Sequence, residues 1–122
     1  MAANITIYGI PNCDVTKKAI TWLQKNKIDF EFHDYKKFGV TVSKLTEWSK
    51  KKSWEILLNK RGTTWKKLSP EIQQTIDDEK TAVRLMQEHT SLIKRPVIEV
   101  DGKLLVGYDE AIYKDAFVTH HR

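Results

Sequence analysis

One cysteine, Cys13, stands in 122 residues. That count excludes an intramolecular disulfide, a disulfide-stapled scaffold and a cysteine-based metal site. Histidine is also scarce: there are four, and His120 and His121 sit together in the tail. A metal enzyme is therefore not expected. No apolar run approaches the ~18 residues that a membrane helix requires, and the first residues fall short of a signal peptide's apolar stretch. The expectation is a cytoplasmic protein without membrane contact, where a reducing compartment keeps the thiol free. Repeats, low-complexity stretches and linker-like segments are missing too. One domain is expected over residues 1–122, long enough to bury a core without disulfides or metals.

What is present is ordinary in composition and mildly basic. The formal net charge is +5, a weak pointer to anionic partners. The charge is spread over several segments, and there is no arginine-rich arm. A solvated basic surface is the preferred reading over nucleic-acid binding. No dimerisation stripe is evident, so a monomer is expected.

The chain begins with a β-branched apolar run, Asn4 to Tyr8, that ends at Gly9 and Pro11. This predicts a buried strand and a loop. From Asp14 the period changes: Val15, Ala19, Trp22 and Leu23 recur at helical spacing, with Lys17, Lys18, Thr21 and Lys25 on the other face. The helix should end near Asn26 and Lys27. Ile28 to Tyr35 alternates and predicts a second strand, parallel to the first across a βαβ unit. About residues 41–90 then read as an all-helical insert. Thr41 is placed to cap a helix carrying Val42, Leu45 and Trp48, and Trp54 to Leu58 forms a second apolar segment. Ser69-Pro70-Glu71 is a strong helix start. A break is expected near Asp77 to Lys80, and the helix end near His89. Val97–Val100 and Lys103–Val106 flank Asp101-Gly102, the sequence of an antiparallel hairpin. Asp109 to Phe117 predicts a closing helix. The fold class is α/β: a thioredoxin-like mixed sheet, β-α-β then β-β-α, with the helical insert between strands 2 and 3.

Cys13 has two readings. A lone free cysteine commonly serves as a small buried hydrophobe. Here it follows a strand and a Gly-x-Pro loop at the start of a helix, where backbone N–H groups and the helix dipole favour a thiolate. Lys17, one turn on, adds positive charge if its side chain folds back. Thr16 occupies the place of a second cysteine; its hydroxyl is either a donor to the thiolate or an ordinary first-turn threonine. With no second cysteine, a resolving thiol must come from outside. Two further features join the thiol. Lys94-Arg95-Pro96 directly precedes a strand, and in a thioredoxin-like fold that proline is expected to be cis and beside the thiol, with Arg95 facing the sulfur. Asn59-Lys60-Arg61-Gly62-Thr63-Thr64-Trp65 is read as a polar loop within the insert. Each arginine alone reads as a surface charge. With the thiol they make a candidate pocket for an anion, in which Arg61, Arg95, Lys17, Thr16 and Asn12 are the expected binding and thiolate-stabilising residues. The four tryptophans read as packing residues, and His33 as a strand-edge residue.

The segments YGIPNCDVTKKA, FHDYKK, LLNKRGTTWKKL and SLIKRPVIEVDGKLLVGYDEA together resemble the arsenate reductase-like (ArsC/Spx) family of the thioredoxin fold, most of all its YffB-like branch. The resemblance covers about Ile5 to Tyr113. It implies a glutathione- or glutaredoxin-linked reductase with Cys13 as nucleophile, Pro96 beside the thiol and no tightly bound cofactor. Glutathione would be the co-substrate, and a small disulfide or an oxyanion the substrate. Arg61 and Arg95 match two of three arginines that arsenate reductases place around the oxyanion. The third would fall where Tyr108 stands, which argues against a full arsenate site. The Spx members, which bind RNA polymerase and switch through a C-x-x-C pair, imply a regulatory alternative. Thr16 removes that switch here.

Overall fold

The structure is a computed structural model and describes residues 5–118. His120, His121 and Asn4 lie outside the described residues. The chain divides into two compact units. One is the sheet unit, residues 1–34 with 95–122; the other is helical, residues 35–94.

In the sheet unit, β1 (Ile5–Gly9) leads to α1 (Asp14–Lys25) and β2 (Glu31–Asp34). The chain returns in β3 (Val97–Val100) and β4 (Lys103–Val106). The strand order is β2-β1-β3-β4. β1 and β2 are parallel, while β3 runs antiparallel to both β1 and β4. This is the thioredoxin-like mixed sheet that the sequence led us to expect. Asp101 and Gly102 turn the hairpin with φ of 47° and 80°, the paired left-handed conformation that Asp-Gly tolerates. Register puts Ile7 opposite Ile98, and Ile98 opposite Leu105, so one sheet face is apolar. Ala19 and Leu23 of α1 and Phe117 close over that face in a single core. Trp22 adds an aromatic cluster: its ring meets Tyr113 at 5.5 Å and Phe117 at 5.8 Å. On the other face, the Tyr8 hydroxyl donates to Glu99 at 2.9 Å.

Four expectations need correction. The second strand starts at Glu31, not Ile28, because α1 ends in a left-handed residue, Lys27 (φ 56°), and the Ile28 N–H turns back to the Leu23 carbonyl at 3.0 Å. Tyr35 is not in that strand but opens the next helix. Val15 is 40% exposed; Thr16 is the residue that turns inward. The closing helix is a short α8 (Glu110–Tyr113), capped by Asp109, followed by a π turn over Lys114–Val118.

The helical unit contains α2 (Tyr35–Phe38), α3 (Val42–Lys52), α4 (Trp54–Leu57), α5 (Thr63–Lys67), α6 (Pro70–Thr75) and α7 (Glu79–Glu88). A fifth expectation needs correction: the polar loop stops at Gly62, the extended N-cap of α5, and Thr63-Thr64-Trp65 form the first turn of that helix. A 3-10 turn over Thr90–Leu92 ends it. Thr41, Ser69 and Asp78 accept cap hydrogen bonds from Lys44, Ile72 and Thr81. α3 packs on α4 and α7, burying Leu45, Trp48, Leu57 and Met86. Val42 is exposed and Ser49 is buried. Trp54 and Trp65 are half-buried. The break between α6 and α7 falls at 76–78. The buried Tyr35 hydroxyl donates to the Ile93 carbonyl at 2.8 Å.

Candidate active site

The site starts at the C-terminal end of β1. Gly9 ends the strand, and the Cys13 N–H closes a turn on the Ile10 carbonyl at 3.1 Å. Cys13 is the N-cap of α1, with extended backbone (φ −96°, ψ 126°), and its carbonyl accepts the first helical bond from Lys17 at 2.9 Å. An N-cap side chain faces the free N–H groups of the first turn. The sulfur closes no cap hydrogen bond of standard geometry, yet the Thr16 and Val15 N–H groups both favour its negative charge.

Arg95 comes from the other end of the chain. It precedes β3, and its Nε donates to Cys13 Sγ at 3.4 Å. The Arg95–Pro96 peptide is cis. Pro96 is buried, and its carbonyl accepts from the Gly107 N–H at 2.8 Å. The Gly107 carbonyl in turn accepts from the Tyr113 hydroxyl at 2.6 Å. The segment beside the thiol is thereby tied to the end of β4 and to the aromatic cluster. Burial pushes the Tyr113 phenol up, so it stays neutral and remains a donor.

Thr16 lies directly under the sulfur's helix turn and is fully buried. Its Oγ1 has no hydrogen-bond partner of standard geometry among the described residues. The thiolate is the acceptor that its hydroxyl favours. Space for Thr16 comes from Gly9: a Cβ there would stand 2.9 Å from Oγ1 and 3.0 Å from the methyl carbon. The spacing Gly9…Cys13…Thr16 therefore has a packing logic that sequence reading missed.

The Cys13 thiol titrates below its ordinary value. Partial burial pushes it up, but the Thr16 N–H, the Thr16 hydroxyl, the Arg95 guanidinium and the Val15 N–H outweigh that. The net effect is a thiol, half-exposed and free, that ionises more readily than an ordinary cysteine. The structure thus brings Cys13, Thr16 and Arg95 together, with Pro96 joined to Arg95 by the cis peptide. Lys17 is exposed and is not among the groups that shift the thiol. Asn12 is exposed in the loop before Cys13. Arg61 is exposed in the helical unit, where its N–H donates to Asn59 Oδ1 at 3.1 Å. Tyr108, in the place of the third arginine, is half-buried and edge-on to Tyr113 at 5.1 Å. His33 sits on edge strand β2, its ring 5.0 Å from that of Tyr8. Among the described residues, no cluster of potential metal ligands occurs, and no helix is long and apolar enough to cross a membrane.

The ArsC family model matches residues 8–116. This chain belongs to the ArsC family. Among solved structures, the YffB protein is 42% identical, superposes with a TM-score of 0.88, and the match covers 93% of this chain and 98% of that one. An arsenate reductase (ArsC) related protein from Brucella melitensis is 46% identical with a TM-score of 0.73, covering 93% and 94% of the two chains. The global transcriptional regulator Spx of Bacillus subtilis is 25% identical over 109 residues, spanning 87% of this chain and 81% of Spx. The ArsC-family frame thus includes proteins named as reductase relatives and proteins named as regulators.

Proposed function

We propose that the protein is a thiol-based reductase in which Cys13 is the nucleophile, with glutathione as the external thiol. The observation that carries this reading is the Arg95 Nε donating to a sulfur at the N-cap of α1, an arrangement that stabilises a thiolate. The thiolate attacks one sulfur of a substrate disulfide. A bond forms between Cys13 Sγ and that sulfur, the substrate S–S bond breaks, and the leaving half departs as a thiolate and takes a proton. A glutathione thiolate then attacks the substrate sulfur of the mixed disulfide. Cys13 returns as a thiolate, and glutathione carries away the remaining half as a disulfide. Arg95 and the Thr16 hydroxyl hold the charge on Cys13 at both ends of this cycle. A single cysteine in the chain makes an external resolving thiol obligatory. Lys17 and Asn12, exposed at the start of α1, are the proposed residues for anionic groups of the co-substrate; for Arg61, in the helical unit, such a role rests on the family resemblance alone. With Tyr108 in place of a third arginine, disulfides are favoured over arsenate as substrates.

The test is mass spectrometry after exposure to oxidised glutathione across pH, followed by reduced glutathione. The expected result is a Cys13–glutathione adduct that forms readily below pH ~7, under the free-thiol range, and clears with reduced glutathione. An adduct forming only as pH nears the free-cysteine range would refute an activated thiol. It would shift weight to the regulatory reading that the Spx relatives suggest.

A further inference from the structure

A groove of about 550 Å³ runs along α1 within the sheet unit. Its lining includes Trp22 and Tyr108 and four lysines: Lys17, Lys18 and Lys25 from α1, and Lys114 from beyond α8. Among the described residues, Glu110 is the only carboxylate in the lining, and it lies 3.9 Å from Lys114. Lys17, Lys18 and Lys25 have no ion pair among the described residues. Three ammonium groups therefore border one concave surface with no ion-pair partner among the described residues.

The position of the groove gives it direction. Lys17, Thr21 and Lys25 follow one another at four-residue intervals, forming an inclined row on α1 whose first member is four residues after the N-cap Cys13. At ~1.5 Å per residue, Lys25 stands about 18 Å along the axis from Cys13. An extended peptide advances ~3.3 Å per residue, so about five residues span that distance. A single inorganic anion would occupy only a fraction of such a row. Nucleic acid would match the charge, but it offers no sulfur to the thiol at the head of the row.

We propose that this groove binds an acidic, extended segment of the polypeptide whose disulfide reacts with Cys13. Its carboxylates pair with Lys17, Lys18 and Lys25 while its sulfur is presented at the thiol. The proposal rests on the thiol-reductase reading and names its substrate class: disulfides of cysteines flanked by acidic sequence.

The experiment uses the full chain and synthetic peptides with one cysteine, activated as the mixed disulfide with 2-mercaptoethanol. Cys13 attacks the peptide sulfur, the S–S bond breaks, and 2-mercaptoethanol leaves as its thiolate and is protonated. One peptide carries glutamates next to the cysteine. A second carries them four and five residues away on both sides, and a third has glutamine throughout. Bis(2-hydroxyethyl) disulfide serves as the small neutral substrate. At low salt the distal-glutamate peptide should react about tenfold faster than the glutamine peptide, with the advantage shrinking at high salt. Lys25→Glu should remove most of that advantage while affecting the near-glutamate peptide less, because a glutamate beside the cysteine stays about 18 Å from Lys25 and the attraction falls with distance. Equal rates for the distal-glutamate and glutamine peptides, with the small disulfide still reacting, would overturn the groove and leave the thiol reading intact. No reaction with any disulfide would overturn both. An oligonucleotide that displaces the distal-glutamate peptide, together with flat peptide rates, would assign the groove to nucleic acid and overturn the proposal.

Discussion

Gly9→Ala tests whether the thiol site depends on a close approach that no sequence motif describes. The glycine's backbone does not need glycine, since its φ is not in the left-handed region, so any cost must come from the side chain. An added Cβ would stand 2.9 Å from Thr16 Oγ1 and 3.0 Å from its methyl carbon. Thr16 is fully buried and has no room to swing away. Inserting a methyl into such packing costs about 1–3 kcal/mol, partly offset by the ~0.4–1 kcal/mol that alanine gains over glycine through the unfolded chain. A net loss near 1–2 kcal/mol should lower Tm by roughly 4–10 °C in a chain of this size. The decisive measurement is a double-mutant cycle with Thr16→Ala, which removes both clashing atoms. In that background Gly9→Ala should be neutral or slightly stabilising, giving a coupling equal to the clash itself, about 1–3 kcal/mol. An equal loss of stability in both backgrounds would refute the argument that Gly9 exists to house Thr16.

Four other outcomes follow from the same geometry. Arg95→Ala should move the midpoint of iodoacetamide alkylation against pH upward, toward that of free cysteine; an unchanged profile would remove Arg95 from the site. Thr16→Val should also move that midpoint upward. It should leave stability level or raise it by about 1 kcal/mol at pH 6, because it deletes a buried hydroxyl that lacks a standard partner. Thiolate formation in the folded chain should add stability that is present above the free-thiol range and lost as pH falls through the lowered folded value; Cys13→Ser should abolish both that pH dependence and turnover without unfolding the protein. Trp22→Ala should cost about 3–5 kcal/mol by emptying the aromatic cluster, visible as a large fall in the denaturation midpoint.

The parts of the fold legible in the sequence were those fixed by short-range chemistry. Thr41 and Ser69 announce their helices because a cap needs only a side-chain oxygen and the next N–H groups. Asp101-Gly102 announces its hairpin because both residues tolerate positive φ. Where two local signals competed, the reading slipped. The alternation from Ile28 suggested a strand, but the left-handed Lys27 spends Ile28 on ending α1. Val15 looked like the inward residue of the first turn, yet the helix is rotated so that Thr16 meets Gly9. That contact joins a strand end to a helix turn, and no periodicity encodes it. The Arg95–Cys13 contact spans 82 positions and was anticipated only through the fold's expected geometry. Lys18 and Lys25 read only as the polar face of α1, and Lys17 only as a charge for the thiol, since the groove appears only once Tyr108 and Lys114 arrive from the C-terminal end.

The N-cap position of Cys13 bears on how long any adduct would last. The features that steady its negative charge also make Cys13 a good leaving group, since a sulfur departs faster from a disulfide the more stable its thiolate is. Each time the sulfur is capped by a partner, α1 loses the charge at its first turn and Arg95 loses its acceptor, so the loaded state is the less comfortable one. Glutathionylated protein should therefore be a fleeting species under thiol-rich conditions, and the chain should behave as a relay rather than a store of oxidising equivalents.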